Sequence, residues 1–128
     1  MADGDITVRF SPTYLRDHKS LAPDAETQKA IDETIWQILT ALAESPNNPD
    51  QTRAGKPFAR DRHQTWKRRI SMPGSNMGKR GALRLAYWWR RPEREVVFLF
   101  LYYKRDKADL LQREIEEARK RFLRSSSE

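Results

Sequence analysis

Residues 83–103 read LRLAYWWRRPEREVVFLFLYY, and this stretch decides the fold of the chain. Its first part, Leu83 to Trp89, alternates bulky apolar residues with others, which is typical of a strand with one buried face. The polar segment 90–93 then favours a turn. A second strand is predicted over 94–103, and its apolar run VVFLFLYY indicates burial on both faces and a place inside the sheet. The stretch therefore predicts two neighbouring strands joined by a short turn.

A further strand is predicted just before this pair. Residues 65–72 have strand character, and the turn formers Pro73-Gly74-Ser75-Asn76 end them. Short connections between the three strands make an antiparallel meander the simplest topology. Residues 46–63 are rich in proline and poor in apolar side chains, so they predict a long connection.

The N-terminal part predicts one strand followed by two helices. Residues 6–10 alternate apolar and polar side chains, and Ser11-Pro12 is a favoured helix start. Asp24 can cap a second helix with an apolar stripe, made of Ile31, Ile35, Ile38, Leu39 and Leu42. Two helices separated by one break predict a helical hairpin laid across the sheet.

The C-terminal part predicts a last helix over 107–123, with an apolar stripe among charged residues. Residues 124–128 are expected to form a frayed tail. The predicted fold class is α+β, in the order β-α-α-β-β-β-α, with an antiparallel sheet packed against the helical hairpin and the C-terminal helix. The length of 128 residues predicts a single domain over 1–128.

Composition favours a polyanionic partner. The chain carries 25 Lys and Arg against 18 Asp and Glu, a formal charge of +7, which points to nucleic acid, although such a charge also serves solubility alone. There is no cysteine, and the two histidines, His18 and His63, lack metal-ligand spacing, so neither a metal nor another cofactor is expected. The acidic N-terminus and the short apolar runs predict a cytoplasmic protein without a membrane segment.

Basic residues recur on one side of the predicted strands. Lys67 and Arg69 share a side of the first meander strand, and Arg84 stands between two small alanines on the side opposite Leu83 and Leu85. If the last strand continues beyond its apolar run, Tyr103 and Arg105 share a face near its end. The candidate catalytic residues are therefore Lys67, Arg69, Arg84, Tyr103 and Arg105. Arginine suits such a site because its planar fork binds phosphate oxygens in pairs, whereas ordinary solvated side chains are the plain alternative.

Four further basic residues are candidates for RNA binding: Arg68, Lys79, Arg80 and Lys104. Arg68 breaks the alternation because it is in phase with Trp66 and Ile70, which predicts an edge position or a bulge. The segment 78–81, GKRG, could supply backbone contacts or form a flexible turn, and it lacks the spacing of a phosphate-binding loop. Trp88 and Trp89 could stack on bases, but core packing is the favoured interpretation.

The segments WKRRI, GKRGALRLAYWW and VVFLFLYYKRDKADL together resemble the C-terminal half of RelE/HigB-like toxins of type II toxin-antitoxin systems. The resemblance covers roughly residues 64–123. It implies a metal-independent mRNA endonuclease that inhibits translation and is held in check by a cognate antitoxin protein. Members of this family are ribosome-dependent or free endonucleases, and action on translated mRNA at the ribosome is the expectation here. Arg84 matches the arginine that stabilises the scissile phosphate, and Lys67, Arg69 and Arg105 match other basic positions. Leu111 stands where some relatives have a tyrosine, and neither histidine fits the positions that others use.

Other functions remain open at the level of sequence. No obvious general base accompanies the cations, which favours a non-catalytic, toxin-like module that binds nucleic acid or protein. A structural domain that associates through its aromatic strand ends is a third possibility. The sequence is compatible with a homo-oligomer and with a toxin-antitoxin hetero-oligomer.

Overall fold

The computed structural model describes residues 5–22, 24–44, 46, 56–57, 65–70, 83–103 and 112–126. The elements within these ranges are β1 (Thr7–Phe10), α1 (Pro12–Leu21), α2 (Ala25–Glu44), β2 (Lys56–Pro57), β3 (Thr65–Ile70), β4 (Leu83–Arg90), β5 (Glu95–Tyr103) and α3 (Gln112–Ser126). A short 3-10 helix, Arg91–Glu93, joins β4 to β5. The α+β class and the predicted order of helices and long strands are confirmed.

The sheet has the strand order β1-β5-β4-β3-β2. The meander of β3, β4 and β5 is antiparallel, as predicted, but β1 pairs with β5 in parallel. The expectation of a wholly antiparallel sheet is therefore wrong. The two helices carry the chain away from β1, and the third meander strand returns beside β1 in the same direction. β5 lies between β1 and β4, which agrees with the prediction of an interior strand. The two-residue β2, which pairs with β3, falls where the sequence predicted only a connection.

The two sides of the sheet are covered by different helices. On the hairpin face, α1 and α2 pack on the larger core, which includes Ile31, Ile38, Leu85, Tyr87 and Phe98. On the α3 face, the opposite side of the sheet, α3 packs through its own apolar stripe: Ile115, Ala118 and Phe122 contact side chains of β4 and β5. Because helices cover both faces of the sheet, the apolar run of β5 is buried on both sides, as the sequence predicted.

Helix α1 begins at Ser11 and protects an edge of β5. The Ser11 hydroxyl accepts a hydrogen bond from the Tyr14 N–H at 3.0 Å and donates one to the Leu99 carbonyl at 2.9 Å. Farther along, the Leu101 N–H donates to the Asp17 carboxylate at 3.2 Å. β1 ends before this part of β5. Side chains of α1 and its N-terminal cap form hydrogen bonds with the β5 backbone groups that would otherwise be exposed at the edge of the sheet. The predicted Ser11-Pro12 helix start is confirmed.

We expect Ser11→Ala to lower the free energy of unfolding by about 1–3 kcal/mol, because it removes a helix cap and a buried hydrogen bond together. Urea unfolding followed by circular dichroism measures the change. Ser20→Ala is the matched control, since Ser20 is exposed near the end of the same helix. Equal stability of the two variants would contradict the double role of Ser11.

Helix α2 has the predicted cap at Asp24. The Thr27 N–H donates to the Asp24 carboxylate at 2.9 Å. This backbone hydrogen bond, with help from the Thr27 hydroxyl, lowers the pKa of Asp24. The cap therefore contributes to stability at neutral pH, and the contribution is lost as the pH falls through the lowered pKa.

Helix α3 continues to Ser126, so the frayed tail expected from residue 124 is wrong for residues 124–126. The buried Phe122 anchors the last turns to the sheet and keeps them helical. The predicted start of this helix, residues 107–111, lies outside the described residues. Within the described ranges, no helix combines the length and the apolar character that crossing a membrane requires.

Candidate nucleic-acid interface

Two rows of side chains cross β3, β4 and β5 on the α3 face. In the Arg84 row, Arg84 is paired with Arg69 on one side and Tyr102 on the other. In the Lys67 row, Ala86 lies between Lys67 and Phe100. Directly paired residues of antiparallel strands point to the same face, with Cβ atoms about 4.5–5.5 Å apart. The structure therefore brings Lys67, Arg69 and Arg84 together, as the strand alternation predicted, while their part in chemistry stays a prediction.

The three cations differ in exposure. Arg69 is exposed, Lys67 and Arg84 are half-buried, and the Ala86 side chain beside them is fully buried. Ala86 is covered because it packs with Tyr102 of β5 and Ile115 of α3. The three cations therefore form a partly exposed surface beside the α3 core.

The Arg84 side chain is placed to receive an anion. Its Nε atom is buried and has no hydrogen-bond partner among the residues that the structure describes. Arg69 is the residue paired with Arg84, and like charges directly across a strand pair repel one another. A phosphate supplies both the missing acceptor and the opposite charge.

Tyr103 does not belong to this surface. It is paired with Leu83 and packs against the core of the hairpin face, so the expectation that it joins Arg84 is wrong. The error concerns which side chains of β5 point to which face of the sheet. The sequence has two consecutive tyrosines, and a strand buried on both faces lacks the usual alternation of apolar and polar residues. Tyr102 takes the predicted place, since it is the residue paired with Arg84.

Arg68 also lies on the wrong side for RNA binding beside Lys67. Its Nη2 donates a hydrogen bond to the Gln37 side chain of α2 at 2.5 Å. The residue that broke the alternation is thus explained by a contact with the helical hairpin. The β3–β4 register is regular at Arg68, so the predicted bulge is wrong. The described part of β2 pairs only with Trp66 and Lys67, so an edge position at Arg68 stays a prediction.

The remaining candidates fall outside the described residues. These are Arg105 and Lys104 after β5, and Lys79 and Arg80 before β4. Their proposed roles stay predictions.

One basic residue of this face was missed by the sequence analysis. Arg119 of α3 is only 6% exposed, and its Nη1 donates to the Thr65 hydroxyl at 2.6 Å. Its guanidinium also lies 5.6 Å from the centre of the Trp88 ring. The signal was present, because Arg119 follows Ile115 by four residues and precedes Phe122 by three, which places it on the apolar stripe.

The two tryptophans serve packing, which was the favoured interpretation. Trp89 is 1% exposed and donates from Nε1 to the Pro46 carbonyl at 2.8 Å. Trp88 packs against the α3 core and has the guanidinium of Arg90 5.0 Å from its ring centre. Base stacking on either ring would have to displace these contacts.

Within the residues that the structure describes, no three His, Asp or Glu side chains are grouped to hold a metal ion. His18 stacks near Tyr14, with ring centres 5.9 Å apart, on the other side of the sheet. The two rows can bind a phosphate and stabilise additional negative charge on it.

Known structures resemble this chain in fold. No protein-family model matches it, and no curated protein matches it. A free-state variant of the Escherichia coli toxin RelE, with two arginines replaced by alanine, has a TM-score of 0.51 at 19% identity and covers 91% of this chain and 96% of its own. The isolated E. coli RelE toxin gives 0.48 at 16% identity over 91% and 98%. The toxin-antitoxin complex RelBE2 of Mycobacterium tuberculosis gives 0.45 at 26% identity over 79% and 93%.

The comparison with the RelE variant confirms the RelE-like fold that the sequence predicted. At this level of identity the likeness concerns the arrangement of helices and strands over most of the chain. Activity has to be argued from the residues themselves.

Proposed function

We propose that this protein is the toxin of a type II toxin-antitoxin system and that it cleaves mRNA during translation at the ribosome. The RelE-like fold supports the proposal, and so does the net charge of +7, which suits an RNA substrate. The protein acts in the cytoplasm, and a cognate antitoxin covers its cationic face until the toxin is released.

The observation that carries the proposal is the pairing of Arg69 with Arg84, with Lys67 in the next row. Three cations on one small surface attract an anion. Arginine forks match phosphate oxygens in geometry as well as charge. An RNA phosphate is the anion that fits both this surface and the fold.

Cleavage follows from the chemistry of RNA itself. The ribose 2′-oxygen loses its proton and attacks the adjacent phosphorus, the bond from phosphorus to the 5′-oxygen breaks, and a 2′,3′-cyclic phosphate forms. The leaving 5′-oxygen takes up a proton from water and becomes a 5′-hydroxyl. Negative charge accumulates on the phosphorane oxygens, and Arg84 and Arg69 stabilise it where it develops. With Tyr103 on the hairpin face, Lys67 and a group of the ribosome remain as candidates to accept the 2′-hydroxyl proton.

The test is a translation reaction reconstituted with the purified protein and one mRNA. We expect cleavage within the translated region and fragments that end in a 2′,3′-cyclic phosphate, and we expect growth arrest when the gene is induced in bacteria. Addition of the antitoxin should abolish both. Intact mRNA together with unimpaired growth would refute the proposed activity.

A non-catalytic module is the second candidate. Within the described strands, the Arg84 row and the Lys67 row themselves contain neither histidine nor carboxylate, so the paired positions of these rows supply no conventional general base. Such a module binds RNA in a salt-dependent manner and leaves it uncut. The same reaction distinguishes the two functions, because binding without fragments identifies the module.

A further inference from the structure

Tyr102 lies beside the proposed RNA site, a position that the residues around it in the sequence do not indicate. It is directly paired with Arg84 and points to the same face. Arg69 flanks Arg84 from β3, and Tyr102 flanks it from β5. Arg84 therefore lies between an exposed cation on β3 and a buried aromatic side chain on β5.

Of the two residues that flank Arg84, Tyr102 is the one whose side chain is fixed by packing. It is 7% exposed and packs with Ala86 and Ile115, where α3 meets the sheet. A tyrosine has few rotatable bonds, and burial among these groups fixes its ring. Its hydroxyl oxygen is buried as well, which places a hydrogen-bonding group at the border between the α3 core and the cations.

Arg84 needs such a neighbour if it is to bind a phosphate in one orientation. A long arginine side chain loses conformational entropy when it is fixed, and a group that stabilises a transition state works best when it is oriented beforehand. The buried Nε–H of Arg84 lacks an acceptor among the described residues. A phenolic oxygen can accept such a hydrogen bond, while the two terminal nitrogens remain available to phosphate oxygens.

We propose that Tyr102 is a positioning residue for Arg84: in the RNA-bound protein its hydroxyl accepts a hydrogen bond from Arg84 Nε and directs the guanidinium towards the phosphate. This inference rests on the proposed function, because it assumes that Arg84 binds RNA. It assigns to Tyr102 no contact with the reacting atoms.

The test measures the affinity of the full-length protein for a single-stranded RNA that carries a 2′-O-methyl substitution at each position to prevent cleavage. Tyr102→Phe keeps the packed ring and removes only the hydroxyl, so we expect affinity to fall about fivefold, the effect of one ordinary hydrogen bond. Tyr103→Phe is the matched control on the hairpin face and should bind like the unaltered protein. Thermal unfolding of both variants should stay near that of the unaltered protein.

A double-mutant cycle separates positioning from a structural role. Arg84→Lys keeps the positive charge but lacks the Nε–H, so Tyr102→Phe should have no further effect on affinity in that background. Equal losses in both backgrounds, or a Tyr102→Phe variant that binds normally, would overturn the inference while leaving the proposed function in place. If Arg84→Gln binds the RNA as tightly as the unaltered protein, the proposed RNA site fails and this inference fails with it.

Discussion

Replacing Arg84 with alanine should lower the rate of mRNA cleavage by about 10²–10³-fold, the loss expected when one preorganised donor to a developing oxyanion is removed. The arginine lies in the middle of its row, with its Nε buried, so a water molecule cannot reproduce its position and charge. Single-turnover cleavage in the reconstituted translation reaction measures the rate. Induced expression of the variant should also no longer arrest growth.

Arg68→Ala is the control for this result. It removes the same charge from the adjacent strand, but Arg68 contacts Gln37 on the hairpin face. We expect its cleavage rate to remain within about threefold of that of the unaltered protein, because alternate strand residues point to opposite faces and Arg68 cannot contact a phosphate bound on the α3 face. An Arg84→Ala variant that still cleaves mRNA at the normal rate would contradict the assignment of the site.

Replacing Lys67 and Arg69 together with glutamine should weaken RNA binding on the order of 20-fold at 0.1 M salt, because each phosphate contact releases counterions from the RNA. The slope of log affinity against log salt should become shallower by about 1.4, that is, by about 0.7 for each contact with a single strand. The structural reason is that both side chains lie on the α3 face, in the two rows beside Arg84.

The matched control removes two lysines from the helical hairpin. Lys19 and Lys29 are exposed on α1 and α2, so Lys19→Gln with Lys29→Gln lowers the net charge by the same amount. This variant should change the salt slope by less than about 0.3, since general screening acts weakly at that distance. Equal slopes for the two double variants would mean that the total charge, and not the α3 face, governs RNA binding.

Most of the fold could be predicted because its signals are local. Ser11-Pro12 and Asp24 mark the helix starts, and the structure shows both caps in place. The long apolar run of β5 predicted its interior position correctly. The parallel pairing of β1 was missed, because no local pattern records which edge of the sheet a distant strand joins.

Half-exposed strands also revealed which basic residues lie together. Lys67 and Arg69 alternate with Trp66, Arg68 and Ile70, so two positions on one side could be assigned from the sequence. Arg68 seemed to break this pattern only because its partner, Gln37, comes from a helix thirty-one residues away. The alternation of β3 therefore assigned Arg68 to the correct face, and only its contact with Gln37 could not be predicted from the sequence.

The sequence by itself determined the elements, their order and the side on which three cations lie, because helix caps and strand alternation depend on neighbouring residues. Only the tertiary structure decided that Tyr102 and not Tyr103 stands beside Arg84, and that Arg119 is buried against Thr65. The physical reason is that a strand buried on both faces does not alternate apolar and polar residues, so its sequence does not show which side chains point to which face. Its phase is set by the hydrogen-bond register with β4 and by the helices that cover each side.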